Sequence, residues 1–339
     1  MSAPSAITPA LADDALVRLT RAKTVLMPTH PNIDADGLAT PLALMHMLDR
    51  RGVRAVPLVS DGEIPRSLHF LPGIERVRLY GIDPLPEYDL LCLLDASDRK
   101  RLGGFYTDDP SRIEGGTPII NIDHHVTNER YGDVAIVEPR ATSTSEVMFR
   151  LMQLWGEPLS PLIAQCLLAG IYGDTLALRT EGTTPETMRI AADLIEAGAN
   201  PAPVIEGLFI LKPPSTVCLW ERALSNVHTA GGLIWTEVTG SDLAECSARR
   251  SESEGIVNFL LGTEGTQVAA ILYEQPDGWR VSMRSLPPVD VAAISAVFGG
   301  GGHPRAAGCS LPAGPNVKWE FIDRVAELIA LPPASSSKS

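Results

Sequence analysis

Three short apolar runs, Thr24–Met27, Leu90–Leu94 and Ile119–Ile122, each give way within a few residues to acidic or histidine-bearing segments. No other feature restricts the fold of this chain so narrowly. Short aliphatic runs alternating with segments of helical period read as parallel strands of an α/β layer. In such a layer the loops at the carboxyl ends of neighbouring strands gather into one crevice. The residues delivered there are His30-Pro31-Asn32-Ile33-Asp34-Ala35-Asp36-Gly37 after the first run, Asp95-Ala96-Ser97-Asp98 after the second and Asp123-His124-His125 after the third. A fourth acid, Asp174, stands in Gly173-Asp174-Thr175 behind the helical stretch Leu162–Tyr172.

A lone Asp or His at a strand end usually caps a helix or closes a loop. Four such groups around one sheet exceed that need, and so much like charge cannot be buried together uncompensated. Two divalent cations are the natural counter-charge. A mixture of imidazole and carboxylate without thiolate suits Mn²⁺, with Mg²⁺ or Co²⁺ as alternatives, better than a structural zinc. Asp98 is expected to cap the Arg99–Leu102 turn rather than to serve as a ligand.

Composition bounds the rest. The 339 residues exceed one ordinary core at roughly 150 residues per domain, so two domains are expected. Lys and Arg number 28 against 41 Asp and Glu, a net charge of −13 that repels polyanions, so a protein that coats long nucleic acid is excluded. The five cysteines are odd in number and hold no Cys-x-x-Cys pair, which predicts free thiols rather than a disulfide framework or a zinc site. No run approaches the roughly 18 apolar residues of a membrane span, and the N-terminus lacks a secretory pattern, so a cytoplasmic protein without membrane contact is expected.

Further helices are predicted over Leu38–Arg51, from a Ser143/Glu146 capping box, and from Thr184-Pro185 to near Gly198. The stretch 201–225, rich in Pro and small residues, reads as a linker between a domain of residues 1–200 and a second of 226–331. In the second, Leu233–Val238 reads as a strand and Ser251–Leu261 as a helix. Val268–Tyr273 and Trp279–Ser285 read as a hairpin, and Val289–Phe298 as a helix that breaks at four glycines, Gly299–Gly302. A last helix, Val317–Leu331, precedes a tail of residues 332–339 expected to be disordered. The four glycines free the backbone to cradle an anion, with a flexible turn as the plainer alternative.

Asp123-His124-His125, preceded by His30 and Asp34-Ala35-Asp36, resembles the signature of the DHH phosphoesterase superfamily. Gly299-Gly300-Gly301-Gly302-His303-Pro304-Arg305-Ala306-Ala307-Gly308 resembles that of its associated DHHA1 domain. The resemblance spans about residues 15–331 and is nearest to the bifunctional oligoribonuclease and pAp phosphatase group. It implies a parallel-sheet DHH domain, a smaller α/β DHHA1 domain and an active site in the cleft between them. His30 and Asp34 would hold one Mn²⁺, Asp36, His124 and Asp174 the other, and Asp95 would bridge. Two ions roughly 3.5–4 Å apart activate a water and clamp a phosphoryl group. His125 would meet the substrate phosphate or protonate the leaving oxygen, and Asp123 would orient the neighbouring imidazole. Gly301, Gly302, His303, Arg284 and Arg305 would hold the substrate. That substrate would be a short 5′-phosphorylated oligoribonucleotide, a linear dinucleotide or pAp. Other readings are a cyclic-dinucleotide phosphodiesterase, a single-strand exonuclease and a non-catalytic nucleotide sensor. A homodimer is the base-rate assembly.

Overall fold

The computed structural model describes residues 7–31 and 33–330, and the predicted tail lies outside them. By internal packing the chain divides into two units, residues 1–211 and 212–339.

The first unit is built on a six-stranded sheet. Its strands are β1 (Thr24–Pro28), β2 (Arg54–Val59), β3 (Arg78–Leu79), β4 (Leu90–Leu94), β5 (Ile119–Asp123) and β6 (Val134–Val137). Their spatial order is β3-β2-β1-β4-β5-β6, and every neighbouring pair is parallel. β1, β4 and β5 are buried on both faces, which is why they read as continuous apolar runs instead of alternating ones. Val25 and Met27 face a large core under the helices, while Leu26, Leu91 and Leu93 face a smaller one containing Leu102 and Phe105. The chain leaves β1 toward β2 on one side and enters β4 on the other. β1 and β4 therefore flank the point where the winding reverses, the place at which α/β sheets open a crevice.

Helix starts follow the sequence closely. The helix Ala35–Arg50 begins earlier than its period suggests, because the Asp34 carboxylate accepts from the Gly37 amide and caps it. Ser143 caps Thr144–Leu154 through the Glu146 amide, but the Glu146 side chain does not return to it. That carboxylate instead accepts from the Thr142 and Thr187 hydroxyls, at 2.7 and 3.0 Å. Thr184 caps Pro185–Glu196, and Asp98 caps Arg99–Leu102, both as expected.

The stretch 201–225 is not an open linker. It folds as helices Pro201–Ile205 and Pro214–Ser225, and the boundary between the units falls at 211/212 inside it. Of the prolines that suggested a connector, Pro201, Pro203 and Pro214 occupy first-turn positions and Pro213 the N-cap, where a missing N–H costs nothing.

The second unit carries β7 (His228–Ala230), β8 (Leu233–Val238), β9 (Val268–Gln275), β10 (Gly278–Ser285), β11 (Gly301–His303) and β12 (Ala306–Pro312). Their order is β11-β12-β10-β9-β8-β7, with only the β8/β9 pair parallel. The predicted helix Ser251–Leu261 is broken at Gly255, whose φ of +95° separates a short turn from Ile256–Leu261. The four glycines are not wholly a loop either, since Gly301 and Gly302 enter β11. Cys92, Cys166 and Cys309 are buried free thiols, but Cys218 and Cys246 form a disulfide, contrary to the sequence reading. Packing of Pro214–Ser225 beside Gly240–Glu245 brings their Cα atoms to 5.6 Å, a proximity that a spacing of 28 residues does not signal. Among the described residues no single helix is long and apolar enough to cross a membrane.

Candidate metal centre

The loops leaving β1, β4 and β5 bring the predicted ligands His30, Asp34, Asp95 and His124 together with Asp36, in the first turn of helix Ala35–Arg50, and Asp174, at the end of helix Pro161–Asp174. Asp95 lies between two sets of donors. Its Oδ2 is 3.5 Å from His30 Nε2, and its Oδ1 is 3.6 Å from His124 Nε2. Asp34 Oδ1 lies 3.7 Å from His30 Nε2, and Asp174 Oδ2 lies 3.3 Å from His124 Nε2. His30, Asp34 and Asp95 thus form one group whose donor atoms could hold a cation, and Asp36, His124 and Asp174 form another. Asp95 takes a left-handed backbone, φ +59°, and is almost fully buried. A non-glycine residue there is uncommon and is found where the surrounding structure dictates side-chain direction.

The supporting contacts explain how so many charges stay in place. Asp36 is fully buried and accepts from the Thr144 and Ser145 amides, at 2.6 and 2.9 Å, and from the Thr40 hydroxyl at 3.1 Å. Those amides are the free N–H groups at the start of helix Thr144–Leu154, which favour an anion. Thr144 Oγ1 also donates to Asp95 Oδ1 at 2.9 Å. Asp123, at the tip of β5, accepts from its neighbours' amides, from Asn128 Nδ2 at 2.6 Å and from His125 Nδ1 at 2.8 Å. It therefore orients His125, whereas His124 Nδ1 faces the Ala141 carbonyl at 3.3 Å. Among the described residues no carboxylate lies within 4.0 Å of His125 Nε2, which is 3.5 Å from Arg101 Nη1.

The clustered carboxylates and imidazoles shift one another's protonation. Burial, and then Asp95, push the Asp36 carboxyl up to about 6. Withdrawal from water, followed by Asp36 and Asp95, pushes Asp174 well above the carboxylate range. For His30 burial works against protonation, yet Asp34 and Asp95 outweigh it and raise the imidazole to about 9. Asp123 raises His125. Burial pushes Asp123 upward in turn, but its contacts with His125 and Asn128 outweigh that and hold the carboxyl low. Two imidazoles and four carboxylates, all oxygen and nitrogen donors, fit a hard to intermediate divalent ion.

Sequence reasoning missed the holders of these ligands. Thr144 and Ser145 belong to the capping segment, and no local pattern ties them to Asp36, 108 and 109 residues away. Asn128 was also missed, as was Gly170, where a Cβ would stand 1.9 Å from Ser145 Oγ and 2.6 Å from Asp36 Oδ1. A helical Gly170-x-x-Gly173 pair next to Asp174 was the available signal for that close approach.

The predicted substrate residues all lie in the second unit. Arg284 is half-buried on β10, with its Nη1 on the Met283 carbonyl at 3.0 Å and on Ser282 Oγ. Gly301, Gly302 and His303 form β11, and Arg305 in the following turn donates to Val289 O and Ser285 Oγ.

A two-unit α/β protein with a carboxylate–imidazole centre at a parallel-sheet switch point is the class so defined. Residues 24–171 match the family model of the DHH family, N-terminal domain, and residues 240–331 that of the DHHA1 domain; the chain belongs to the DHH family with a DHHA1 domain. It is 34% identical over 288 residues to the bifunctional oligoribonuclease and PAP phosphatase NrnA of Thermus thermophilus, covering 85% of this chain and 84% of that one. It is 26% identical to the protein of the same name from Bacillus subtilis, covering 89% and 92%. An exopolyphosphatase-related protein from Bacteroides fragilis shares the fold, with a TM-score of 0.85 at 23% identity over 96% of this chain and 97% of that one.

Proposed function

We propose that this protein is a metal-dependent phosphoesterase that hydrolyses short 5′-phosphorylated oligoribonucleotides, and pAp, to nucleoside monophosphates. The observation that carries the reading is Asp95, whose two oxygens face separate donor groups. The 34% identity to an oligoribonuclease and PAP phosphatase supports the substrate class. His30, Asp34 and Asp95 would hold one Mn²⁺ and Asp36, His124, Asp174 and Asp95 a second, with Mg²⁺ or Co²⁺ as substitutes. Bound there, the ions would supply Lewis-acid charge to the phosphoryl oxygens and to the attacking water.

The chain's own groups carry the remaining steps. Asp123 keeps a proton on His125 Nδ1 and favours the imidazolium, whose Nε2–H would pass to the departing oxygen as the phosphorus–oxygen bond breaks. Arg101, beside that Nε2, adds positive charge where the phosphoryl group would lie. Arg284, Gly301, Gly302, His303 and Arg305 would hold the rest of the substrate. The same reading puts the enzyme in the cytoplasm with its substrates, as a homodimer by base rate.

The test is release of mononucleotide from a 5′-labelled dinucleotide, and of phosphate from pAp, with Mn²⁺ present. Both products are expected from the wild type and neither from Asp95→Ala. If the metal-loaded protein binds the dinucleotide and releases nothing, it is a nucleotide sensor and the enzymatic reading fails.

A further inference from the structure

One carboxylate of the metal centre stands where a helix disfavours it. Asp34 caps the helix Ala35–Arg50, and Asp36 accepts from amides at the start of Thr144–Leu154, so both meet the positive ends of helices. Asp174 is instead the last residue of the 14-residue helix Pro161–Asp174. Unpaired carbonyls make that end negative, and last turns fray. Left to itself, the end would open and turn the carboxylate toward water. Yet Asp174 Oδ2 is held 3.3 Å from His124 Nε2.

The chain just beyond Asp174 supplies the restraint. Leu176, Ala177 and Leu178 take φ of +49°, +57° and +65° in succession, a left-handed turn that residues with a Cβ disfavour. Among the described residues six non-glycine positions have positive φ, and four of them are these three and Asp95. The unfavourable backbone is therefore concentrated at the metal centre, and it persists only where neighbouring contacts over-determine it. The Ala177 and Leu176 amides close on the Tyr172 and Gly173 carbonyls at 2.8 and 3.3 Å, a common helix stop, with leucine in the place that glycine ordinarily fills. The Thr175 hydroxyl ties the two pieces together. It donates to the Ile171 carbonyl at 2.6 Å and accepts from the Leu178 amide at 2.9 Å. Thr175 is fully buried, and its own carbonyl accepts from the Arg179 and Thr180 amides at 2.7 and 3.1 Å. Ala177 and Leu178 rest on the first unit's core.

We propose that Thr175 is a positioning residue, whose hydroxyl clamps the last helical turn to the left-handed turn and so keeps the Asp174 carboxylate aimed at His124 against the field of its own helix. The inference rests on the metal-centre reading above and deepens it. Thr175 acts through Asp174 and itself touches neither ion nor substrate. Leu176 is what makes the clamp necessary, since glycine would take the left-handed turn without strain. Because every contact of the clamp lies within the chain, it is complete before a cation binds. A ligand held in place beforehand loses less freedom on binding, so the second donor group binds more tightly.

Two measurements on the full-length protein test it. In the chelator-treated wild type, amide hydrogen exchange should protect Ala177 and Leu178 as strongly as the interior of Pro161–Asp174. Exchange at the rate of an open loop overturns the clamp, with no substitution involved. Calorimetric titration with Mn²⁺ then compares variants. Thr175→Val, which keeps the shape and removes the hydroxyl, should weaken one ion about 10–100-fold and leave the ion held by His30 and Asp34 unchanged. Thr175→Ser should bind both ions as the wild type does. Thr175→Val/Leu176→Gly should regain part of the lost affinity, because glycine forms the turn without the hydroxyl's help. Unchanged binding by Thr175→Val, equal weakening of both ions, or no recovery in the serine and double variants overturns the positioning role. A wild type that binds no Mn²⁺ fails the metal-centre reading instead, and exchange in the metal-free protein still decides the clamp.

Discussion

Replacing Gly170 by alanine is expected to destabilise the first unit by about 3 kcal/mol, against the ordinary preference of helices for alanine. In a solvent-exposed helix the change gains about 1 kcal/mol. Here the added Cβ would meet Ser145 Oγ at 1.9 Å, Asp36 Oδ1 at 2.6 Å and Ser145 Cβ at 2.8 Å. None of these atoms is the free end of a long side chain. Overpacking of this kind costs about 1–3 kcal/mol. Moving Ser145 or Asp36 also breaks a hydrogen bond to a buried carboxylate, worth about 1.5–3 kcal/mol. The clash therefore wins. For a unit of this size each kcal/mol lowers Tm by about 2–4 °C, so a fall of about 6–12 °C is expected in the metal-free protein. Because Asp36 belongs to the donor group with His124 and Asp174, Mn²⁺ affinity measured by calorimetry should drop about 10–100-fold as well. Ser145→Ala in the Gly170→Ala background removes the tightest contact and should recover part of the Tm. A Gly170→Ala protein that melts at or above the wild-type temperature would refute the reasoning, since helix propensity would then outweigh the contact.

Asp95→Ala should lower kcat at least about 100-fold and release Mn²⁺ from both donor groups, which equilibrium dialysis would show as a loss of more than one ion; retention of both ions sinks the shared-ligand assignment. His125→Gln should reduce kcat about 10²–10⁴-fold with little change in KM, and Asp123→Asn should move the alkaline fall of kcat to lower pH, because Asp123 is what raises His125. A pH profile untouched by Asp123→Asn removes His125 as the proton donor. The metal-free protein should be more stable at pH 5 than at pH 9. His30, raised to about 9, stabilises fully below its unfolded value of 6.5 and loses that contribution as pH rises through 9. Asp36, raised to about 6, penalises the fold above that pH and relieves the penalty as pH falls toward its unfolded value. Saturating Mn²⁺ should reverse the trend, since ligands bind it deprotonated; identical Tm profiles with chelator and with Mn²⁺ would argue against a metal at this centre. Glu146→Ala should cost about 2–3 kcal/mol in chemical unfolding, because it removes a buried acceptor from the half-buried Arg150 and Thr142 and from the buried Thr187 hydroxyl.

The chain's local order already determined the site's inventory. Short apolar runs flanked by helices dictate a parallel sheet, a parallel sheet presents its carboxyl-end loops along one edge, and so the convergence of His30, Asp34, Asp36, Asp95, His124 and His125 was legible in the sequence. So were the caps at Ser143, Thr184 and Asp98, because a capping residue and the amide it satisfies lie within three positions of one another. Tertiary structure alone decided the rest, and in each case the contact joins segments whose separation carries no periodic signal. The amides that hold Asp36 come from a helix more than a hundred residues downstream. Asp123 turned out to orient His125 rather than His124, a choice set by side-chain direction at the tip of β5. Cys218 met Cys246 because two helices pack side by side. The stretch 201–225 became helix because its prolines fall at first turns, and Gly301 and Gly302 became an edge strand because β12 was there to pair with them. Each of these depends on which faces the packed molecule buries, since burial, which sorts side chains between faces, is a property of the fold and not of the order of residues along the chain.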